Sequence, residues 1–452
     1  MHKTIVIDIV GLSANLIGVH TPFLKKYTGS RQLRTIAPML PAVTTAVQST
    51  YITGRWPVEH GIVGNGWYDR TDCEIKFWKQ SNKLVQAEKI WERAKQIDPS
   101  FTTSKMFWWY NMYSGADYAV TPRPNYLADG RKMPDCYSHP ATLRDELQKE
   151  LGQFPLFSFW GPGANIKSTQ WIADATIFTD KKYDPTLTLV YLPHLDYCLQ
   201  KYGPDFSKIS THLNETDKVV EQLVEYYTAK NANIILLSEY GITPVNHPIH
   251  INRVLREKGL LGIRVERGLE LLDAGASKAF AVADHQVAHI YINDPLVTEQ
   301  VKKMVSGLPG VALVLDREAQ KAYHTDHERA GDIVLVADDK SWFTYYFWLD
   351  DAVAPDYARV VDIHKKPGYD PVELFMTSKA RAGYKLLRKK AGFRYVMDVI
   401  PLDATLVKGS HGSVLTDQSF HPVLITDQPM EKKELVATDV YDVIWKQLTE
   451  ER

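Results

Sequence analysis

Short apolar runs rich in β-branched residues recur along the chain: TIVIDIV from residue 4, TLTLVYL from 186, ANIILLS from 232 and VAHIYI from 287. Each is too short for an ordinary helix and too continuous for a half-solvated strand, which predicts strands buried on both faces. Between the second and third runs, THLNETDKVVEQLVEYYTAKN places Leu213, Val219, Val220, Leu223 and Tyr226 at helical spacing. The alternation predicts an α/β fold whose central, mainly parallel sheet is covered by helices on both faces. Ligands of such sheets gather beyond the carboxyl ends of the strands. Acidic residues and a histidine cluster there: Asp8 in the first run, His194 and Asp196 after the second, Glu239 after the third.

The remaining segments read differently. Residues from about 68 to 165, with stretches such as MFWWYNMYSGADYAVTPRPNYLADG, predict an irregular, aromatic-rich elaboration forming one wall of a pocket. Residues 285–340 run strand, helix, Pro-Gly turn, strand, strand, which predicts a small α+β insert between core segments 1–284 and 341–452.

Charge and composition narrow the partners. Lys+Arg 53 against Asp+Glu 54 gives a net charge of −1, which leaves no chain-wide field for a nucleic acid polymer or a membrane. Three widely spaced cysteines without a CxxC pair suit a reducing, cytoplasmic setting. The opening MHKTIVIDIVGL is interrupted by Asp8 and reads as a strand instead of a leader.

Candidate chemistry begins at PAVTTAVQSTYITGRWPVEHGIVGNGWYD, residues 41–69. Thr44 stands where a loop enters a helix, a place whose free N–H groups and dipole favour an anion, although a threonine there can also serve only as a cap. His194 lies two residues before Asp196, which on a strand puts both side chains on one face. His285 precedes a strand beside Asp284, and His364 precedes a Pro-Gly turn; at least one of these three histidines is expected in the site. His60 belongs to a His-Gly turn and is expected to fix backbone. Trp67, Tyr68 and the string Phe107 to Tyr110 could stack a flat group or simply fill core. No GxxxxGK loop supports a kinase or ATPase.

Taken in order, VIDIVGL, PAVTTAVQSTYITG, HGIVGN, YLPHLDYCLQKYGP, LLSEYGITP and KGSHGSVLTDQSFHPVLI resemble the motifs of the nucleotide pyrophosphatase/phosphodiesterase branch of the alkaline phosphatase superfamily. The resemblance spans nearly the whole chain and makes one catalytic domain with elaborations the expected organisation. It implies two divalent metal ions, zinc first, with Asp8 and Thr44 at one and Asp196 and His411 at the other, Thr44 as nucleophile, and Asn65 on a phosphoryl oxygen. Glu239, Tyr240 and Gln200 stand where the family has Asp, His and His. These substitutions shift the ligand set toward oxygen donors and make manganese, magnesium or calcium more plausible. The implied activity is hydrolysis of a small phosphorylated substrate, a nucleotide or other phosphodiester, through a phosphothreonyl intermediate. A phosphomonoesterase or phosphotransferase, or a degenerate member that binds a phosphorylated ligand without turnover, are the alternatives.

Overall fold

The computed structural model describes residues 1–129, 131–393 and 395–450. The main sheet begins with β1 (Thr4–Ile9), β2 (Gln32–Ile36), β3 (Thr103–Met106), β4 (Tyr118–Pro122), β5 (Cys136–His139), β6 (Leu187–Leu192) and β7 (Asn233–Leu237). A second, antiparallel sheet follows, built from β8 (Ala279–Asp284), β9 (Val287–Ile292), β10 (Val311–Asp316) and β11 (Ile333–Ala337) in the order β8-β9-β11-β10. The chain then returns to the main sheet with β12 (Val423–Thr426) and β13 (Glu434–Leu435), completing nine strands in the order β13-β2-β12-β7-β1-β6-β3-β4-β5. Its middle is parallel: β1 pairs in that sense with both β6 and β7, and β3 with both β6 and β4.

Alternation along β1 explains the two covered faces. Val6 packs with Val43 and with Val47 and Ile52 of α1 (Thr44–Thr53), whereas Ile5, Ile7 and Ile9 point into the opposite layer. That layer is filled by α2 (Ile166–Tyr183), α3 (His194–Tyr202) and α4 (Phe206–Ala229), through residues such as Ile172, Leu199, Leu213 and Leu223. Two further helices, α5 (Lys379–Lys390) and α6 (Asp439–Thr449), follow the second sheet in the chain.

The structure corrects two boundaries. The 68–165 segment is not merely irregular, because it supplies β3, β4 and β5 to the main sheet. These strands escape an apolar-run search since β3 reads TSKM and buries Lys105, whose Nζ donates at 2.8 Å to the carbonyls of Trp109 and Tyr110. The second sheet also starts before residue 285, with β8 forming a hairpin with β9. His285 sits at the hairpin tip with φ 60, in the left-handed region.

His60 fixes a turn beneath α1. Its Nδ1 accepts from the Ile62 N–H at 3.1 Å, so Nε2 carries the proton and donates to Thr50 Oγ1 at 2.9 Å. Burial lowers its pKa from 6.5 to about 3. The unfolded chain therefore binds this proton at higher pH than the folded one. The stability that His60 contributes is complete above pH 6.5 and falls by about 1.4 kcal/mol per pH unit below it. Urea unfolding at stepped pH should show His60→Asn clearly destabilised at pH 8 and the gap closing below pH 6.5; a gap independent of pH would contradict this role.

Candidate active site

Three adjacent parallel strands deliver the acids. Asp8 lies near the carboxyl end of β1, in register with Tyr191 of β6 and Leu237 of β7. Glu239 follows β7 by two residues, and Asp196 sits in the first turn of α3 after β6. All three carboxylates are buried. The adjoining Gly241 cannot carry a side chain, because a Cβ there would lie 1.7 Å from the Phe420 carbonyl oxygen.

Thr44 is the first residue of α1, with Val43 in extended conformation before it. No side chain caps this helix in the usual way. Asn65 does so from outside: its Oδ1 accepts from the Thr45 N–H at 3.1 Å. The remaining groups of Asn65 are tied to Asp284, through its backbone N–H at 2.8 Å and Nδ2 at 3.1 Å. Thr44 Oγ1 is 2.9 Å from the Tyr240 hydroxyl.

Gln48, one helical turn beyond Thr44, is a site residue that motif reading missed. Its Oε1 accepts from the Trp109 N–H at 2.7 Å, which obliges its NH₂ to face the acids: Nε2 donates at 2.5 Å to Glu239 and 3.3 Å to Asp8. Gln200 behaves alike. Tyr369 donates to its Oε1 at 2.8 Å, and its Nε2 donates to Asp196 at 2.9 Å. Gln200 and Tyr240 thus stand in the site as hydrogen-bonding groups that orient Asp196 and Thr44. Asp284 and Tyr369 were also missed, since neither lies in a recognisable motif.

Of the three candidate histidines, His285 enters. Its Nδ1 donates to Asp284 Oδ1 at 2.8 Å, and its ring stacks between Tyr369 and His411, each 3.7 Å away between centroids. His194 does not join the carboxylates. It opens α3 instead of ending a strand, so the 100° helical step turns it well away from Asp196. Its Nε2 lies 3.0 Å from His212 Nδ1, and with Glu215 the two form a separate group between α3 and α4. His364 lines the cavity wall, where Nδ1 faces the Phe77 carbonyl at 3.4 Å.

Burial dominates the electrostatics. It pushes Asp8 and Asp196 each up to about 7 and Glu239 well above the carboxylate range, with the charge of Asp8 adding to the last. Hydrogen bonds from Gln48, Gln200 and Tyr240 offset only part of this. Burial likewise lifts the Tyr240 phenol well above 10 and drops His285 and His411 well below 6.5. Among the described residues no lysine or arginine pairs with these acids; Asp196 has only the His411 ring at 3.7 Å.

These donors fit divalent cations. Asp8 Oδ1 and Glu239 Oε2 are buried without hydrogen-bond partners. His411 donates through Nδ1 to the Ala42 carbonyl at 2.8 Å, and His285 through Nδ1 to Asp284, so both present a bare Nε2, and both Nε2 atoms lack partners. An imidazole held by carbonyl or carboxylate at one nitrogen is the form that binds a metal at the other. Asp8, Glu239 and Thr44 offer oxygen, and Asp196, His411 and His285 offer oxygen and nitrogen; among the described residues, the group of three His, Cys, Asp or Glu whose ligand atoms all lie within 4.8 Å of one another is His194, His212 and Glu215.

Above the acids opens a cavity of about 1870 Å³ with Thr44, Asp196 and Tyr240 in its lining. Trp78 and Trp109 form an aromatic wall, their rings 4.7 Å apart. Trp108 and Tyr110 fill core, and Tyr68 packs edge-on against Phe280, so only Trp109 of the aromatic string faces a ligand.

Comparison with known proteins places the chain. Residues 4–370 match the type I phosphodiesterase/nucleotide pyrophosphatase family. An uncharacterized pyrophosphatase/phosphodiesterase of Schizosaccharomyces pombe is 26% identical over 251 residues, 52% of this chain and 42% of that protein. Ectonucleotide pyrophosphatase/phosphodiesterase 2 of Saccharomyces cerevisiae is 23% identical over 80% of this chain and 68% of its own length. The chain thus spans less than half of the first relative and about two thirds of the second. Among solved structures, phosphonoacetate hydrolase from Sinorhizobium meliloti, bound to phosphonoformate, superposes with a TM-score of 0.62 at 16% identity, covering 99% of this chain and 96% of that one. An inactive variant of murine ectonucleotide pyrophosphatase/phosphodiesterase 5 in complex with AMP gives 0.59 at 15% identity, covering 99% and 95%. The chain belongs to the type I phosphodiesterase/nucleotide pyrophosphatase family and has the alkaline phosphatase-like α/β fold.

Proposed function

We propose that the chain is a divalent-metal-dependent phosphohydrolase that cleaves a phosphodiester or phosphoanhydride bond with Thr44 as nucleophile. One observation carries this reading: the Thr44 hydroxyl stands at a helix N-terminus on a cavity floor, surrounded by buried carboxylate and imidazole atoms that lack partners. Thr44 Oγ forms a bond to phosphorus as the bond to the leaving oxygen breaks, giving a phosphothreonyl enzyme. The proton of Thr44 has a path to the Tyr240 hydroxyl oxygen, 2.9 Å away. The proton lost by Thr44 leaves with the released oxygen; water then attacks the phosphothreonine, the bond to Oγ breaks, and the proton given up by that water passes to Oγ, restoring Thr44. Asn65 holds the start of α1 in place through the Thr45 N–H, and the N-terminus of that helix would favour the charge of the phosphoryl oxygens. Divalent cations held by Asp8, Glu239 and Thr44 and by Asp196, His411 and His285 would ease ionisation of the hydroxyl and neutralise the phosphoryl group. Zinc is first among them, with manganese, magnesium and calcium suited to the oxygen-rich position.

The Trp78 and Trp109 wall and the room above Thr44 suit a nucleotide or another diester with a flat substituent. A cytoplasmic location rests on the three free cysteines. No helix of the described residues is long and apolar enough to cross a membrane. The Gln48 amide between Asp8 and Glu239 favours a second reading, a phosphoryl-ligand binder without turnover.

A matrix of metals and substrates tests both. Bis-p-nitrophenyl phosphate and p-nitrophenyl thymidine monophosphate should be hydrolysed at least about tenfold faster than p-nitrophenyl phosphate. Chelation should abolish turnover, and Zn²⁺ or Mn²⁺ restore it. Turnover that persists after chelation removes the metal-dependent reading, a monoester preference removes the diesterase, and AMP binding without turnover under any metal establishes the binder.

A further inference from the structure

The mouth of the cavity is apolar and basic in a way that the chain as a whole is not. Tyr126 and Phe157 on one side, with Leu386, Phe393 and Val396 on the other, line the cavity and are also largely exposed, Phe393 at 61%. The second side is α5 and the chain after it. Ala382, Lys385 and Leu386 face the cavity, while Tyr384 and Leu387, three apart on the same helix face, stand in solvent at 58% and 67% exposure. The helix is held along one edge, with Arg381 and Lys385 both paired to Asp398.

Residues 376–398 carry seven lysines and arginines against the single acid Asp398, seven minus one giving +6, within a chain of net charge −1. Arg123 and Lys132 add cations on the opposite side, where Arg131 is paired with Asp129. Neither half of this composition explains the other in water. Leucine, phenylalanine and tyrosine gain nothing by standing among lysines in solvent, and a charged polymer would need the cations without the aliphatic side chains. An anionic lipid bilayer satisfies both, since headgroups attract the cations while the interface takes up the apolar side chains.

We propose that the cavity mouth is a membrane-docking surface, with α5 lying in the headgroup layer of an anionic bilayer and Tyr384, Leu387 and Phe393 inserted below it. Net charge over the whole chain hides this surface because the excess of basic residues in this stretch of sequence is cancelled elsewhere. Docked in this way, α5 meets the bilayer through Tyr384 and Leu387 on the face turned away from the cavity, while Phe393 and Val396 bring the rim beside it to the interface. The proposal stands apart from the hydrolytic reading, since docking needs no turnover.

Co-sedimentation of the full chain with phosphatidylcholine vesicles, with and without phosphatidylserine, tests it. Binding should require phosphatidylserine and weaken with added salt. The double variant Leu387→Glu/Phe393→Glu should lower the partition coefficient at least about tenfold, with an unchanged melting temperature showing that the fold is intact. Leu296→Glu, on a turn outside the rim and 92% exposed, should bind like the parent chain. Failure to bind phosphatidylserine vesicles at low salt overturns the proposal. So does equal binding by the double variant, or binding to heparin or single-stranded RNA in place of vesicles.

Discussion

Thr44→Ala should lower kcat for an aryl phosphodiester by at least about a thousandfold while leaving KM within a few-fold. The expectation follows from the position of the hydroxyl. Oγ1 touches the Tyr240 hydroxyl and faces the cavity, and the backbone of α1 is held by Asn65 on the neighbouring N–H, so the methyl of alanine leaves the helix start in place. Loss of turnover would then report lost chemistry instead of a disordered site. Thr44→Ser keeps the oxygen and should retain much of the rate. Stopped quench of Thr44→Ser with a radiolabelled diester should trap phosphate on the protein, and its absence from Thr44→Ala completes the comparison. A Thr44→Ala enzyme within tenfold of the parent would remove the nucleophile assignment.

The second large effect has opposite signs with and without metal. In chelator, Asp8→Asn should stabilise the fold by an amount on the order of 4 kcal/mol. Burial raises the folded pKa of Asp8 from 3.8 to about 7. The folded chain therefore holds this proton more tightly than the unfolded one, and the charged group opposes folding once the pH exceeds 3.8, with the full penalty reached near pH 7. Asparagine removes the charge, and its NH₂ can donate to Glu239 where two carboxylates now compete for Gln48. With saturating Zn²⁺ or Mn²⁺ the parent should gain by mass action and the variant should gain less, reversing the order. Urea unfolding of both chains at pH 8, with chelator and with metal, gives the four numbers required. Equal destabilisation of Asp8→Asn in both conditions would show that Asp8 is structural only.

Legibility in the sequence followed burial. β1, β6 and β7 stood out because both their faces are buried, which forces a continuous apolar run, and the acids at their ends could be read off directly. β3 to β5 lie toward the edge and carry Lys105, Thr121 and Ser138, so no pattern announced them. His194 was misplaced because TLTLVYLPHLDY invites the strand to run on, while Pro193 ends it and α3 begins, exchanging a 180° step for one of 100°. His285 could be suspected but not chosen over the others, since its place depends on the tip of a local hairpin meeting Tyr369 and His411 from far along the chain. Gln48 was accessible in principle, at i+4 from Thr44. What concealed it is chemical: an amide between two acids belongs to no ligand motif, and its value appears only when both acids are placed.

The loop bearing His411 is tied to both ends of the story. Its histidine donates to the Ala42 carbonyl, the Ala42 N–H reaches the Gly412 carbonyl at 3.1 Å, and the Gln286 N–H reaches the His411 carbonyl at 2.8 Å. The piece that carries the proposed metal ligand His411 also fastens the segment leading to Thr44 and the His285 hairpin. This gives activity a place in time. On the ribosome, synthesis from Asp8 to His411 takes about 20–80 s, and through that interval the nascent chain carries its nucleophile and acids without the clasp that aligns them. On the proposed mechanism, hydrolytic capacity is withheld from every incomplete chain and arrives in a single late event.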